Sequence, residues 1–275
     1  MTYNPSMFQS IRDALAKSET STGNPLYKEI LKFKVGNTYV LRLLPNIKSP
    51  ENTFYHFYTH GWNSFTTGQY VSTLSLQTIG QPDPISKERY RLIKNGSPEE
   101  KAKAETVKWQ EQWYVNVYVV DDPVNPENNG TVKIFRYGKM LDKMIKSAIE
   151  GDDADEFGPR VFDLSSNGVN FKLKAEKQGE WTSYNASRFT SPVDLGLSEE
   201  KMEEIYGSVH DLTSVNQIKS ESEIVEMWNT HFLGISNEKP SLPTVAASKP
   251  AEAAAAETKE EISDEMVEEL LKGLN

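Results

Sequence analysis

A mainly β fold with helical insertions is predicted for this chain, and three observations carry the prediction. Short runs rich in β-branched and aromatic residues recur along the body, as in Thr38–Leu44 and Trp113–Val120. Clusters of Pro, Asn, Asp and Gly separate these runs. Helix signals in the body are few: apolar spacing over 139–150, and a capping box opening 220–232. Strands with one or two interposed helices point to a small Greek-key barrel of the OB type carrying an added lobe; a β-sandwich is the alternative.

The elements follow in order. Residues 1–20 form an arm in which Met7, Phe8, Ile11 and Leu15 recur at helical spacing. Residues 21–235 hold nearly all the aromatics. Within them, Thr38–Leu44 and Phe54–His60 read as strands. Trp113–Val120 and Thr131–Tyr137 flank Asp121-Asp-Pro-Val-Asn-Pro-Glu-Asn-Asn-Gly130 and read as an antiparallel hairpin. Aromatics occur on both faces of Trp113–Val120, so if one face is core, at least one ring is expected on a surface. After Gly138, Met140, Leu141, Met144, Ile145, Ala148 and Ile149 share one face of a helix. Asn170–Ala175 and Trp181–Phe189 read as two more short strands. Ser220 with Glu223 forms a capping box, opening a helix that reaches about Phe232 and stops at Gly234.

Residues 236–275 differ in kind. Ser241–Pro250 and the alanine run Ala253–Ala256 read as a flexible linker. Beyond it Met266, Val267, Leu270, Leu271 and Leu274 line one helical face, opposite Asp264, Glu265, Glu268 and Glu269. A helix this short is marginal alone. It reads either as a solvated acidic tail or as a peptide that folds into a partner's groove, and the apolar stripe favours the partner.

The 275 residues carry 30 Lys+Arg against 40 Asp+Glu, a formal charge of −10. Nine acids and four lysines in 236–275 account for −5, so the body is acidic too. Any nucleic-acid reading must therefore rest on local clustering of cations. The absence of cysteine excludes a disulfide scaffold, a thiolate zinc site, an iron–sulfur centre and a cysteine nucleophile. The apolar run Tyr114–Val120 is far too short to span a membrane, and Met1–Pro5 shows no charged segment leading an apolar one. A cytoplasmic location is the default expectation.

Catalytic signatures are missing. No phosphate-binding Gly-rich loop, dinucleotide fingerprint or nucleophile elbow occurs. His56 and His60 share a strand face without a metal-ligand pattern, and Asp152, Asp153, Asp155 and Glu156 lack the spacing of a calcium loop. The expectation is a protein that is not an enzyme and needs no cofactor.

What stands out instead is the interleaving of aromatic and basic residues. Phe135-Arg136-Tyr137 is followed by Lys139 and Lys143; Trp181 and Tyr184 lie near Arg188. Lys87, Arg89, Tyr90, Arg91 and Lys94 form the densest patch, continued by Lys101, Lys103, Lys108, Trp109 and Trp113. Single-stranded nucleic acid is bound by this combination, cations tracking phosphates and rings stacking on bases. Core packing competes for each ring, and Glu99, Glu100 and Glu105 dilute the lysines. The competing reading is an acidic protein–protein adaptor that binds no DNA.

Several motifs, in one order, resemble the single-stranded DNA-binding (helix-destabilising) proteins of T-even-type bacteriophages. They are Leu41-Arg-Leu-Leu-Pro45, Thr59-His-Gly-Trp62, Val119–Gly130 with Phe135-Arg-Tyr-Gly-Lys139, Gly168–Lys174 and Trp181–Phe189, and the acidic tail with paired leucines matches in kind. The resemblance implies an OB-fold core whose cleft holds single-stranded DNA without sequence preference, in replication, recombination and repair. It implies an arm (1–20) for cooperative self-association. It also implies that the tail, through Met266, Leu270, Leu271 and Leu274, recruits replication and recombination proteins. By position it assigns Arg42, Trp113, Phe135, Arg136, Trp181 and Tyr184 to the DNA site, with Tyr90 and Lys108 aligned across a segment of different spacing. The family's best-known member holds zinc with one His and three Cys. His60 matches the His, but no cysteine is present, so no zinc is expected and the 71–109 lobe should be held by packing alone or be looser. The arm offers only Arg12 and Lys17 where the family has a basic motif.

Overall fold

The computed structural model describes residues 24–235. The arm and the tail, with its Met266, Leu270, Leu271 and Leu274, lie outside the described residues.

Nine strands are described: β1 Thr38–Leu44, β2 Phe54–Asn63, β3 Tyr70–Leu74, β4 Lys108–Asp121, β5 Val132–Gly138, β6 Val169–Lys174, β7 Glu176–Gln178, β8 Trp181–Ser183 and β9 Arg188–Pro192. Five α-helices accompany them: α1 Pro84–Asn95, α2 Pro98–Thr106, α3 Lys139–Glu150, α4 Glu199–Gly207 and α5 Glu221–Trp228. Seven strands form one antiparallel sheet in the order β3-β2-β4-β1-β6-β9, with β5 pairing the free side of β4; β7 and β8 make a separate hairpin. The 14-residue β4 organises it. Its first half pairs with β2 (His56 opposite Trp113), its second with β1 (Leu43 opposite Val117), and β5 runs along its other side (Phe135 opposite Val115). The sheet is open, since β5 and β9 do not pair, so the closed Greek-key barrel is not formed among the described residues.

The hairpin turns where expected, because Asp122 holds it. Its carboxylate accepts from the backbone N–H of Val124 and Asn125 and from the Asn128 side chain. Helix α3 spans the residues its apolar spacing predicts. It lays Leu141, Ile145 and Ala148 against Trp113, Val115, Phe135 and Phe171 in the largest core cluster. The opposite face of β4 is covered as well. Tyr114 packs with Phe57, Ile134, Leu212 and Val215, while Tyr118 packs with Leu164 and Ile205 of α4. The ring expected on a surface is therefore absent from Trp113–Val120: Trp113, Tyr114 and Tyr118 are all buried. A strand sandwiched on both sides buries rings of either parity. Buried Asn116, in the middle of β4, exchanges hydrogen bonds with the backbone of His210 and so fastens the covering segment to the sheet.

The lobe of residues 71–109 contains β3, α1 and α2, the helices opened by Asp83-Pro84 and by a complete Ser97–Glu100 capping box. Its core joins Leu76, Ile85, Leu92 and Ala104 to Trp62, Trp228 and Phe232. Packing is not its only tether. Buried Asp83 receives hydrogen bonds from His60 (2.9 Å), Ser75 Oγ (2.8 Å), Leu76 N (2.9 Å) and Ser86 N (2.7 Å), joining β2, the end of β3 and the start of α1. Burial opposes ionisation of this carboxyl. The hydrogen bonds and the nearby imidazole outweigh it and hold its pKa well below the usual aspartate range. The set does not fit zinc. It offers one imidazole and one carboxylate whose oxygens are already shared among four donors, with no thiolate available.

The C-terminal helix shows both capping-box bonds at Ser220 and Glu223. It continues α5 through a π-helical turn, Asn229–Leu233, and ends at Gly234, whose φ of 74° is left-handed. The segment 181–189 is two strands, not one, because a turn at Ser183–Ser187 divides it into β8 and β9.

Candidate nucleic-acid interface

An open cleft of about 850 Å³ runs along the outer edge of β5. Three pieces of chain build it. The segment before β1 contributes Tyr27, Lys32 and Phe33, docked by a parallel bridge from Ile30 to Ile134 and a hydrogen bond from Leu31 N to the Ile134 carbonyl (2.9 Å). The end of β5 and the start of α3 contribute Arg136, Lys139 and Met140, and β8 with the turn after it contributes Thr182 and Tyr184. Lys32, Arg136 and Lys139 line the cleft, and among the described residues no acidic side chain does. Lys139 makes the one carboxylate contact of the three among the described residues, to Glu111 at 3.5 Å. In a chain of charge −10 this is a segregated positive surface. Half-buried Tyr184 offers a ring at the wall, and burial raises its phenol pKa.

Of the residues expected at the site, Arg136 and Tyr184 line this cleft with exposed or half-exposed side chains. Trp181, 71% exposed, stands beside it on β8, with the Lys108 ammonium 5.7 Å from its ring centre. Arg136 and Tyr184 thus share the cleft lining, and Lys108 meets Trp181. Tyr90 is exposed on α1, under Lys94, and is not among the cleft-lining residues.

Two expected contacts, Arg42 and Trp113, need correction, and a third, Phe135, lines the cleft from beneath. Arg42 is fully buried, and its guanidinium donates to Asn170 Oδ1 (2.9 Å) and to the carbonyls of Asp163 (3.0 Å), Ser165 (3.1 Å) and Val193 (2.8 Å). It knots β1 to β6 and to the loops on either side, leaving no face for a phosphate. Gly168 gives it room, since a Cβ there would strike both Arg42 and the Asp163 carbonyl. Phe135 reaches the cleft only as its floor, 1% exposed and packed edge-on against Phe33. Trp113 is 6% exposed and flanked by His56 and Tyr137, so it supports neighbouring rings and presents no open face to a base.

Sequence reasoning missed Tyr27, Lys32 and Phe33. They sit in a segment with no strand or helix period, and long-range contacts to β5 (the Ile30–Ile134 bridge, the Lys133–Glu29 ion pair and Phe33 on Phe135) hold it at the cleft.

A β-rich binding module is what this fold and cleft define: an acid-free, cation-lined groove edged by aromatic rings, with no grouping of His, Asp or Glu able to hold a metal among the described residues. The chain belongs to the gp32 DNA-binding-protein-like family, whose model matches residues 35–232. Two curated relatives are similar to it: the single-stranded DNA-binding proteins of Enterobacteria phages T4 and T2. The T4 protein is 26% identical over 70% of this chain and 64% of its own length; the T2 protein is 26% identical over 67% and 62%. The match thus spans less than two thirds of those relatives. As a member of this family the chain is a binding protein and not an enzyme. No described helix is long and apolar enough to cross a membrane.

Proposed function

We propose that this protein coats single-stranded DNA without sequence preference during phage DNA replication, recombination and repair. The observation that carries the reading is the acid-free cleft, in which Lys32, Arg136 and Lys139 converge beside Tyr184 and Trp181. Phosphates follow the cations and bases stack on the rings, an arrangement indifferent to sequence because every base has a π-face. Binding the single strand better than the duplex draws the melting equilibrium towards separated strands. The N-terminal arm serves self-association along the strand. The acidic tail competes with DNA for the cleft; once displaced, it offers Met266, Leu270, Leu271 and Leu274 to replication and recombination proteins. An adaptor that binds no DNA would have no need to keep carboxylates out of this groove while carrying 40 of them elsewhere and in its tail.

The test is tryptophan fluorescence titrated with oligo-dT, full-length against a 1–240 truncation, at two salt concentrations. Quenching should weaken with salt with a slope of about −2, three phosphate contacts at roughly 0.7 each on a single strand. Truncation should strengthen binding most at low salt. Absence of quenching in both forms, with the fold intact by circular dichroism, would leave the adaptor reading. Equal affinity of the two forms at every salt concentration would remove the gating role of the tail.

A further inference from the structure

Outside the cleft, a row of aromatic side chains crosses the face of β2 and β4. Register places His56, Tyr58 and His60 opposite Trp113, Glu111 and Trp109, so all six project from one side of the sheet. Trp109 stacks on Tyr58 (centroids 4.9 Å, 18° between planes) and Tyr58 meets His56 edge-on (4.7 Å). His56 in turn stacks on Trp113 (4.6 Å, 8°). Buried Trp113 anchors the row. Trp109 is 45% exposed, His56 is exposed and Tyr58 half-exposed, and Trp109 belongs to none of the core clusters. Exposed rings pre-stacked along a strand form a platform with one hydrophobic face still open.

The row adjoins the cleft at Glu111. Its carboxylate accepts a hydrogen bond from His56 Nε2 at 3.0 Å and sits 3.5 Å from the ammonium of cleft-lining Lys139. Its negative charge is thereby engaged by the two groups that mark the junction, and it fixes the His56 ring in the stack. Lys146 lies 5.5 Å from the Trp113 ring centre at the buried end. We infer that the stack of His56, Tyr58 and Trp109 is a second limb of the single-strand track, receiving bases of a DNA strand that leaves the cleft past Lys139. This rests on the single-strand reading above and extends it. The rings present faces and no convergent donors to base edges, so the limb adds length and affinity without sequence choice. Its reach is about one or two further nucleotides.

The experiment uses the full chain and its Trp109→Ala, Trp109→Phe and Tyr58→Ala variants, with oligo-dT of roughly 4 and 12 nucleotides, lengths within the range that such modules occupy. Affinity and site size are read by anisotropy of labelled DNA. Trp109→Ala and Tyr58→Ala should weaken 12-mer binding by about 5- to 150-fold, the loss of one base stack. They should shorten the site and leave 4-mer binding as it was, and Trp109→Phe should retain most of the affinity. Wild-type affinity and site size in both alanine variants would overturn the second limb while leaving the cleft standing. Equal losses on both oligomers would overturn it too, by assigning Trp109 to the cleft or to the fold. A wild-type protein that binds neither oligomer would instead refute the single-strand reading itself.

Discussion

Replacing Arg42 with alanine separates a structural role from a DNA contact. The guanidinium serves four buried acceptors: Asn170 Oδ1 and the carbonyls of Asp163, Ser165 and Val193. A buried acceptor left without a donor costs about 1–3 kcal/mol. Water entering the truncated site argues for the low end, which gives about 4 kcal/mol for the four. That is a large part of the roughly 5–15 kcal/mol that stabilises a domain. At about 2–4 °C per kcal/mol for a domain of this size, Tm should fall by about 8–16 °C. Lysine should not rescue, since a point ammonium cannot reach acceptors arranged around a planar fork. Differential scanning fluorimetry supplies Tm, and oligo-dT titrations of the folded variant supply the salt slope. The slope should be unchanged. A Tm within about 2 °C of wild type, with a slope reduced by the roughly 0.7 of one lost phosphate contact, would refute this reasoning and restore Arg42 to the DNA site.

Three further outcomes follow from the same geometry. Arg136→Ala should lower the magnitude of the salt slope by about 0.7 with Tm nearly unchanged, because its side chain is exposed; an unaltered slope would exclude a phosphate contact there. Tyr184→Ala should weaken oligo-dT binding by about 1–3 kcal/mol and leave the slope alone, separating a stacking partner from an electrostatic one in the same titration. Asp83→Asn should destabilise the lobe by about 2–3 kcal/mol at neutral pH, since an uncharged amide replaces an acceptor of four hydrogen bonds. The folded-state pKa of Asp83 lies below the ordinary value of about 3.9. Its stabilising effect is therefore present above pH 4 and fades as pH falls below that value, so urea unfolding should show the gap between wild type and variant narrowing from pH 7 to pH 3. A gap that is constant with pH would assign the loss to shape alone.

How far the sequence disclosed this depended on the range of the interaction concerned. Elements specified by local chemistry were legible: α3 from its apolar stripe, the Asp122 turn, and the Ser220–Glu223 box. The starts of α1 and α2 carried equally local signals in Asp83-Pro84 and Ser97-Pro98-Glu99-Glu100, but the basic–aromatic pattern drew the reading away from them. What periodicity cannot express is how many layers cover a strand. For β4 the second layer comes from residues 205–215, nearly a hundred positions away, so the parity argument for an exposed ring failed. The same blindness explains the mixed outcome at the site. Arg136, Tyr184, Trp181 and Lys108 gather at the cleft or its rim. Arg42 and Trp113 are equally basic or aromatic, but the tertiary fold turns them inward, while Phe135 forms the cleft's floor.

The charge distribution leads to a last expectation, one that local contacts alone would not give. At physiological salt the Debye length is about 8 Å, so a phosphate in the cleft feels Lys32, Arg136 and Lys139 and little of the chain's overall charge. At 10 mM salt the length rises to about 30 Å, comparable to the radius of a domain of this size, and the net −10 reaches the strand. Affinity should then stop rising as salt is removed. A plot of log affinity against log salt should be straight above about 0.1 M and flatten below it, where phosphate contacts alone would keep it linear. Removing the tail leaves 235 residues or so with a charge near −5, which halves the opposing field without abolishing it. The 1–240 form should therefore still flatten, but at lower salt than the full chain. If the truncated protein instead stays linear to the lowest salt while the full chain flattens, the tail alone opposes binding and the body's acids are effectively shielded from the cleft. If neither flattens, repulsion by the net charge has no part in binding, and the three cleft cations suffice at every ionic strength.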